Sequence, residues 1–304
     1  MPKTLQKHAA TLACSRAASV TERKALVARH PHSQRTRVPL ALKRAIVDRR
    51  AMSSAGGLLC GPLLRRLGPA SLSELASLAT GAIAVDPITV AKSLGWLTTD
   101  NTVLLDEFDA LWAEVERRVR VSDLRYPACF ASTRTAAMLL YLACRTARPS
   151  TVLETGVADG ISTYVILRAL ELNQSGTLHS VDVRPDVGGL LRGTERGRWV
   201  LHLLTRNGRT ALNHIFREVP PGELFFHDSN HSYYWQRMEL KGAAQWIRPR
   251  GLIVCDDVDS STAFLEWCRQ HRSTPHLCFL GSRILGLVRF SGASGPAREE
   301  EHGP

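Results

Sequence analysis

No two cysteines in this 304-residue chain stand in a CxxC pair. The seven present, Cys14, Cys60, Cys129, Cys144, Cys255, Cys268 and Cys278, are odd in number and scattered, several of them inside apolar runs. Cysteines so placed behave as small hydrophobes and fit a reducing cytoplasm. An apolar run of about 18 residues is also missing, which excludes a helical membrane span, and the polar, basic start lacks the apolar stretch of a secretory signal. Acids are scarce over residues 1–50, with 2 against 12 Lys and Arg, whereas the rest of the chain holds 26 against 27. The net charge of +11 is therefore a property of the N-terminal tail, and nucleic acid is a poor first expectation for a main body that is close to neutral. We read residues 1–51 as a basic, solvated tail. An Arg-rich, acid-poor start also has the character of an organellar transit peptide, and Met52 could itself begin a shorter chain.

What is present falls into three further parts. Residues 52–125 read as a helical cap: "SLSELASLAT" (71–80) and "DPITVAKSLGWL" (86–97) are short amphipathic pieces, and "LLDEFDALWAEVERRVR" (104–120) repeats Leu105, Phe108, Leu111, Trp112 and Val115 at helical spacing. "STRTAAMLLYLACRTAR" (132–148) opens with hydroxyl residues suited to an N-cap and stops before Pro149. From 151, short apolar runs ("TVLET", "TLHSVDV", "WVLHLLT", "ELFFHD", "GLIVCDD") alternate with helical stretches, which predicts a parallel sheet built from βαβ crossovers. "HLCFL" and "RILGLVRF", joined at Gly281-Ser282, predict a closing antiparallel hairpin. The expected fold is an open α/β architecture with a seven-stranded, mostly parallel sheet over 126–290. Residues 291–304 read as a disordered tail.

In such sheets ligands bind beyond the C-terminal strand ends. The first strand runs into "LETGVADGIST" (153–163), where Glu154 precedes Gly156 and Gly160, and Ser162 and Thr163 start a helix. Glycines admit close backbone approach, and a helix start offers free N–H groups. The loop is not GxGxxG, because Ala158 and Asp159 stand where a pyrophosphate wants bare backbone. An acid before the loop would repel phosphate and suits an ammonium group. Asp182, ending "SVDV", stands where an acid grips a ribose diol, roughly 20 residues beyond the glycine loop. A ligand with an amino-acid end and a ribose but no phosphate fits S-adenosylmethionine. An ordinary tight turn and a capping acid are the bland alternatives.

"VLETGVADGIST" and "HSVDV" resemble the first two motifs of class I S-adenosylmethionine-dependent methyltransferases, over about 126–290, and in particular the metal-dependent small-molecule and sugar O-methyltransferases of natural-product pathways. The resemblance implies a Rossmann-like sheet. It also implies that Glu154 and Gly156 hold the amino-acid part of the donor, with Gly160, Ser162 and Thr163 beside them, and that Asp182 holds the ribose. Many relatives carry an adenine-binding acid after the third strand. Here the segment is "LLTRNGRT" (203–210), with Asn207 a weak substitute.

Asp228 ends the fourth strand, and Asp256-Asp257 end the fifth, at the same sheet edge. Converging carboxylates repel and raise one another's pKa, which a divalent cation relieves; all-oxygen ligands favour Mg²⁺, Mn²⁺ or Ca²⁺. The pattern resembles catechol-type and sugar O-methyltransferases, where an acid after strand four and an acidic pair after strand five hold Mg²⁺. At the offset of His231 those enzymes carry the general base, a lysine in the catechol type and a histidine in some sugar-modifying relatives. An imidazole that titrates near neutrality suits that task. The expected metal set is thus Asp228, Asp256 and Asp257, with Asp228 and His231 catalytic, on a hydroxylated small-molecule acceptor. Against this stand a capping acid and a surface histidine at 228 and 231, and a helix cap shared by Asp256, Asp257, Asp259 and Ser260.

His227 reads as structural. Tyr233, Tyr234 and Trp235 are left unassigned; Tyr126 reads as part of a loop packed on the sheet rather than a donor contact, and Arg134 is as readily a solvated helix residue as a contact. A donor-binding protein without transfer and a nucleic-acid methyltransferase remain as alternatives, the second without an "NPPY"-like segment. A hydroxylase lacks the two-histidine-one-carboxylate triad of non-haem iron. An oligomer is possible.

Overall fold

The computed structural model describes residues 83–98, 102–127, 130–204, 208–280 and 283–291. The expected tails (save Ser291), the 71–80 helix, Asn207 and the Gly281-Ser282 turn lie outside the described residues. The elements run β1 (Ile83–Val85), α1 (Pro87–Ser93), α2 (Val103–Val121), α3 (Arg134–Ala147), β2 (Thr151–Thr155), α4 (Ile161–Leu172), β3 (Thr177–Asp182), a 3-10 turn (Gly193–Arg198) and β4 (Trp199–Leu203). They continue as α5 (Gly208–Glu218), β5 (Gly222–His227), α6 (Tyr233–Trp246), β6 (Ile247–Cys255), α7 (Ala263–Gln270), β7 (His276–Phe279) and β8 (Ile284–Arg289).

The described strands form one sheet in the order β1-β7-β8-β6-β5-β2-β3-β4. All pairings are parallel except those of β8, which runs antiparallel to both β6 and β7. Seven of these strands are the expected Rossmann-like sheet with its hairpin. The eighth, β1, comes from the segment read as helical. Three residues carry no period of their own, and this strand exists by pairing with β7, Ile83 opposite His276, nearly two hundred residues away.

Alternation along the strands divides the core between two faces. Val152, Leu224, Phe226 and Val254 face α1 to α4, while Leu153, Phe225, Ile253 and Cys255 face α5 to α7. Phe225 and Phe226 are neighbours in sequence, and each is completely buried on its own face. Truncating either would cost about 3–5 kcal/mol.

Local chemistry sets the helix limits. Asp86 Oδ1 accepts the N–H groups of Ile88 and Thr89 at the start of α1, where Pro87 needs no partner for its nitrogen. Thr133 Oγ1 accepts from Ala136 N as the N-cap of α3, and Arg148 closes that helix in the left-handed region at φ 46°. α2 buries Phe108, Trp112 and Val115 as its spacing predicts, with Leu105 and Leu111 packed at the margin. It also buries Arg118, which is paired with Glu195 at 2.6 Å and stacked over Tyr164. Arg134 is paired with Asp109 and lies over Phe108, so it binds α3 to α2 rather than facing a ligand. Among the described residues no helix is long and apolar enough to cross a membrane.

Candidate active site

Because β2, β3, β5 and β6 are parallel, their C-terminal ends open on one edge, and the sheet order reverses between β2 and β5. That edge is where the strand order leaves a crevice. Backbone bonds lace it together: Asp228 N–H donates to Thr155 O, Asp256 N–H to His227 O, and Gly156 N–H to Val181 O, each at 2.9 Å.

The loop after β2 adopts positive φ at Gly156 (85°), Ala158 (47°) and Gly160 (90°). A Cβ at Gly156 would stand 2.2 Å from the carbonyl oxygen of Asp228, and one at Gly160 would stand 3.0 Å from Gly188 Cα. Both positions therefore require glycine, by conformation and by space. Gly160 is also the N-cap of α4 and brings no side chain to it, so the helix begins without a side-chain cap.

Glu154 is held inside the protein by its neighbours. Its side chain is fully buried, with Oε1 accepting from Ser162 Oγ (2.6 Å) and Oε2 from Thr163 Oγ1 (2.7 Å) and Ser180 Oγ (2.8 Å). Trp199 Nε1–H in turn donates to Ser180 Oγ. Burial pushes the Glu154 carboxyl up to about 7, against the three hydroxyls that favour its charge. Glu154, Ser162 and Thr163 were expected to touch a donor. In the structure they are turned to one another and fasten the first turn of α4 to β2 and β3. The partly exposed residues of this loop are Gly156 and Ala158.

Asp182 does reach the edge, partly exposed. Its Oδ2 accepts from Val157 N at 2.9 Å and its Oδ1 from Arg184 N at 3.0 Å, which leaves each oxygen a lone pair. Beside it lies Tyr126, whose hydroxyl is buried without a hydrogen-bond partner. Burial, then the nearby Asp182 charge, raise the Tyr126 pKa. What holds Tyr126 there is Asp159, whose carboxylate accepts the backbone N–H groups of Arg125 and Tyr126, each at 3.1 Å. Arg184 stands 5.7 Å over the Tyr126 ring and pairs with Asp186, which also takes Arg125. The sequence offered a signal for this latch, an acid inside a glycine loop where no phosphate ligand would tolerate it.

At the other half of the edge, Asp228, His231 and Asp256 each bring one potential ligand atom to within 4.8 Å of the others. His231 Nε2 lies 3.6 Å from Asp228 Oδ1, an ion-pair distance, and its Nδ1 lies 3.4 Å from Asp257 Oδ2. Ser132 Oγ–H reaches Asp228 Oδ2 at 3.3 Å. Asp257, expected as a third oxygen ligand, is not in the converging set. The backbone turns into the left-handed region there (φ 52°), and its carboxylate stands against His231 Nδ1, with Arg283 Nε 4.0 Å away. Arg283, which the sequence reading did not single out, forms a 3.0 Å pair with Asp256 Oδ2. The acidic pair does not cap α7: Thr262 is the N-cap, and Ser261 Oγ accepts from Ala263 N.

Burial, then the Asp256 charge, push Asp228 up to about 7, with His231 and Arg283 acting against them. For His231, burial acts downward, but Asp228, Asp257 and Asp256 outweigh it and its pKa is raised. His231 Nε2 and Asp256 Oδ1 are buried without a hydrogen-bond partner. Two carboxylates and an imidazole with orphaned buried atoms are a donor set that a divalent cation fits.

The floor of this site is Glu239 on α6, fully buried beneath the strand ends. It accepts from Thr155 Oγ1 (2.6 Å), Ser229 Oγ (2.7 Å) and Trp235 Nε1 (2.6 Å), and its Oε2 lies 2.5 Å from His227 Nδ1. His227 is structural, as expected. Trp235 joins the same network, Tyr233 bonds to Glu266, and Tyr234 is exposed.

Residues 153–258 match the family model described as "Methyltransferase domain". No curated protein sequence matches the chain. Among solved structures, the chain is similar to the SAH-bound methyltransferase PaMTH1 of Podospora anserina (17% identity, 60% of this chain and 88% of that one, TM-score 0.47). It is also similar to an O-methyltransferase from Bacillus cereus in complex with SAH (17%, 70% and 99%, 0.43) and to the O-methyltransferase TomG of Streptomyces achromogenes in complex with SAM (16%, 59% and 96%, 0.42). These likenesses concern the course of the chain and carry nothing of the site.

Proposed function

We propose, for a chain whose residues 153–258 match a methyltransferase-domain family model, that it is a class I S-adenosylmethionine-dependent methyltransferase and that the methyl group passes to a hydroxyl oxygen of a small molecule with the help of a divalent cation. The observation that carries this reading is the convergence of Asp228, His231 and Asp256 on the strand edge that also bears the Gly156–Gly160 loop and Asp182.

The donor would lie along that loop, its amino-acid end against the backbone of Gly156 and the uncapped start of α4, its ribose diol on Asp182. A cation such as Mg²⁺ or Mn²⁺, held by Asp228 and Asp256, would lower the pKa of an acceptor hydroxyl. His231 is the base. With Nδ1 3.4 Å from Asp257 Oδ2, its Nε2 is the nitrogen on the Asp228 side and, when unprotonated, takes the hydroxyl proton. The oxygen attacks the methyl carbon as the carbon–sulfur bond breaks, and S-adenosylhomocysteine leaves. The chain's own contribution is the alignment of acceptor with donor across one edge. The buried free thiols of Cys144, Cys255, Cys268 and Cys278 fit a cytoplasmic setting.

The same distances favour a second role for His231, as a ligand. Titration of the full chain with S-adenosylhomocysteine and Mn²⁺ tests both readings. Donor-product binding with Mn²⁺ binding that Asp256→Asn abolishes supports the metal-assisted reading. Donor-product binding without Mn²⁺ binding leaves transfer without a cation, or a donor-binding protein. His231→Ala that keeps Mn²⁺ affinity but loses turnover on a diol acceptor makes it the base; lost Mn²⁺ affinity makes it a ligand.

A further inference from the structure

The cleft already contains a cation of the protein's own. Arg283 enters from the residue before β8, mostly buried, with Nη1 3.0 Å from Asp256 Oδ2 and Nε 4.0 Å from Asp257 Oδ1. A guanidinium keeps its charge at any pH a protein survives, and its planar fork suits a carboxylate. We propose that Arg283 competes with the divalent cation for Asp256 and holds the metal affinity of the site down, so that the ion exchanges between turnovers. This rests on the metal-assisted reading above.

Two observations carry it. First, the pair with Arg283 engages Asp256 Oδ2, and Oδ1 is the oxygen left buried without a hydrogen-bond partner, so an ion binding through both oxygens would share Oδ2 with the guanidinium. Second, Asp228 and Asp256 bring carboxylate oxygens within 4.8 Å of each other, and Asp257 stands against the same His231 and Arg283. Arg283 offsets one of these carboxylates in the absence of any metal, and an arriving divalent ion meets a like charge that the fold has fixed beside its ligand. A residue that merely scaffolded Asp256 would act in the opposite sense, since its removal would loosen the ligand and weaken binding.

The test is Mn²⁺ binding to the full chain, read from the electron paramagnetic resonance signal of free Mn²⁺, for the parent, Arg283→Met, Arg283→Gln and Asp256→Asn. Folding is checked by circular dichroism. Met keeps the length and loses the charge; Gln keeps a hydrogen-bond donor and is the second uncharged variant should Met fail to fold. The expected result is a dissociation constant about tenfold or more lower than the parent's in whichever uncharged variant is folded, with Asp256→Asn abolishing binding. An unchanged or higher constant in a folded uncharged variant, while Asp256→Asn still abolishes binding, overturns the role of Arg283 and leaves the metal reading standing. No binding in the parent or in either uncharged variant overturns both.

Discussion

His227 and Glu239 face each other with no solvent exposure on either residue, Nδ1 to Oε2 at 2.5 Å, directly beneath the strand end that carries Asp228. Burial alone would raise the Glu239 pKa, but His227 and the surrounding donors outweigh it and the pKa is lowered. The carboxylate is thus held charged inside the protein, tying β2 through Thr155, the turn after Asp228 through Ser229, and its own helix through Trp235. Glu239→Ala would leave these donors buried without an acceptor and is expected to cost about 3–5 kcal/mol, whereas Glu239→Gln, which keeps one acceptor oxygen, costs about 1–3. Denaturant unfolding at pH 7.5 measures both. Equal stability of parent and Ala variant would sink the account of this hub.

Glu154 behaves in the opposite way with pH. Its carboxyl is raised from 4.5 to about 7 in the folded state, so the native protein binds more protons than the unfolded chain between those values. Stability contributed by this group is therefore fully present below about pH 4.5 and is lost as pH rises through about 7, an effect of at most about 3 kcal/mol. Glu154→Gln removes the titration and keeps a side chain that can bond the three hydroxyls. Asp228, raised to about 7 as well, contributes a trend of the same sign, so the informative quantity is the difference between parent and variant. Unfolding free energies at pH 5 and pH 8 should show the variant gaining on the parent by about 1–3 kcal/mol at the higher pH. Parallel pH profiles would mean that the Glu154 carboxyl is not raised.

These two acids also mark how far the sequence could be read. The strands were legible because each is a continuous apolar run punctuated by glycine or an acid, and Asp182, Asp228 and Asp256 because an acid that ends such a run must stand at the sheet edge. Glu154 was legible as an acid before a glycine loop, but nothing local foretold that Ser162, Thr163 and the distant Ser180 would close around it. Glu239 reads as the polar side of an amphipathic helix, and only the packing of α6 under β2 and β5 makes it central. Arg283 looks like a solvated residue at a hairpin, because its partners lie at the end of another strand. β1 is invisible for the same reason, since a three-residue strand is defined by what it pairs with.

Gly156 separates the demands of conformation from those of composition. At φ 85°, with the Asp228 carbonyl oxygen 2.2 Å from where a Cβ would lie, Gly156→Ala must push β2 and β5 apart at their C-terminal ends. The expected cost exceeds about 3 kcal/mol, combining left-handed strain with a backbone clash. Gly193→Ala, where an added Cβ meets nothing within 4 Å, is the control and should stay within about 0.5 kcal/mol. Thermal melting of the two variants side by side decides it, and a Gly156 variant as stable as the control would mean that the loop does not pass so close to β5.

Asp159 takes two backbone N–H groups from Arg125 and Tyr126, with help from the Arg125–Asp186 pair, which is exposed and adds little. Asp159→Ala removes both acceptors while leaving the φ values of the loop available to alanine's neighbours, and should free the 122–127 segment at a cost of about 1–3 kcal/mol. Amide exchange in that segment should accelerate without a matching change in β2 or β5. If the Asp159 bonds are what keep Tyr126 beside Asp182 and the donor meets both, S-adenosylhomocysteine should bind about tenfold more weakly. Faster exchange with unchanged affinity would separate the latch from the donor and leave Tyr126 a packing residue; unchanged exchange would show that other contacts hold the segment in place.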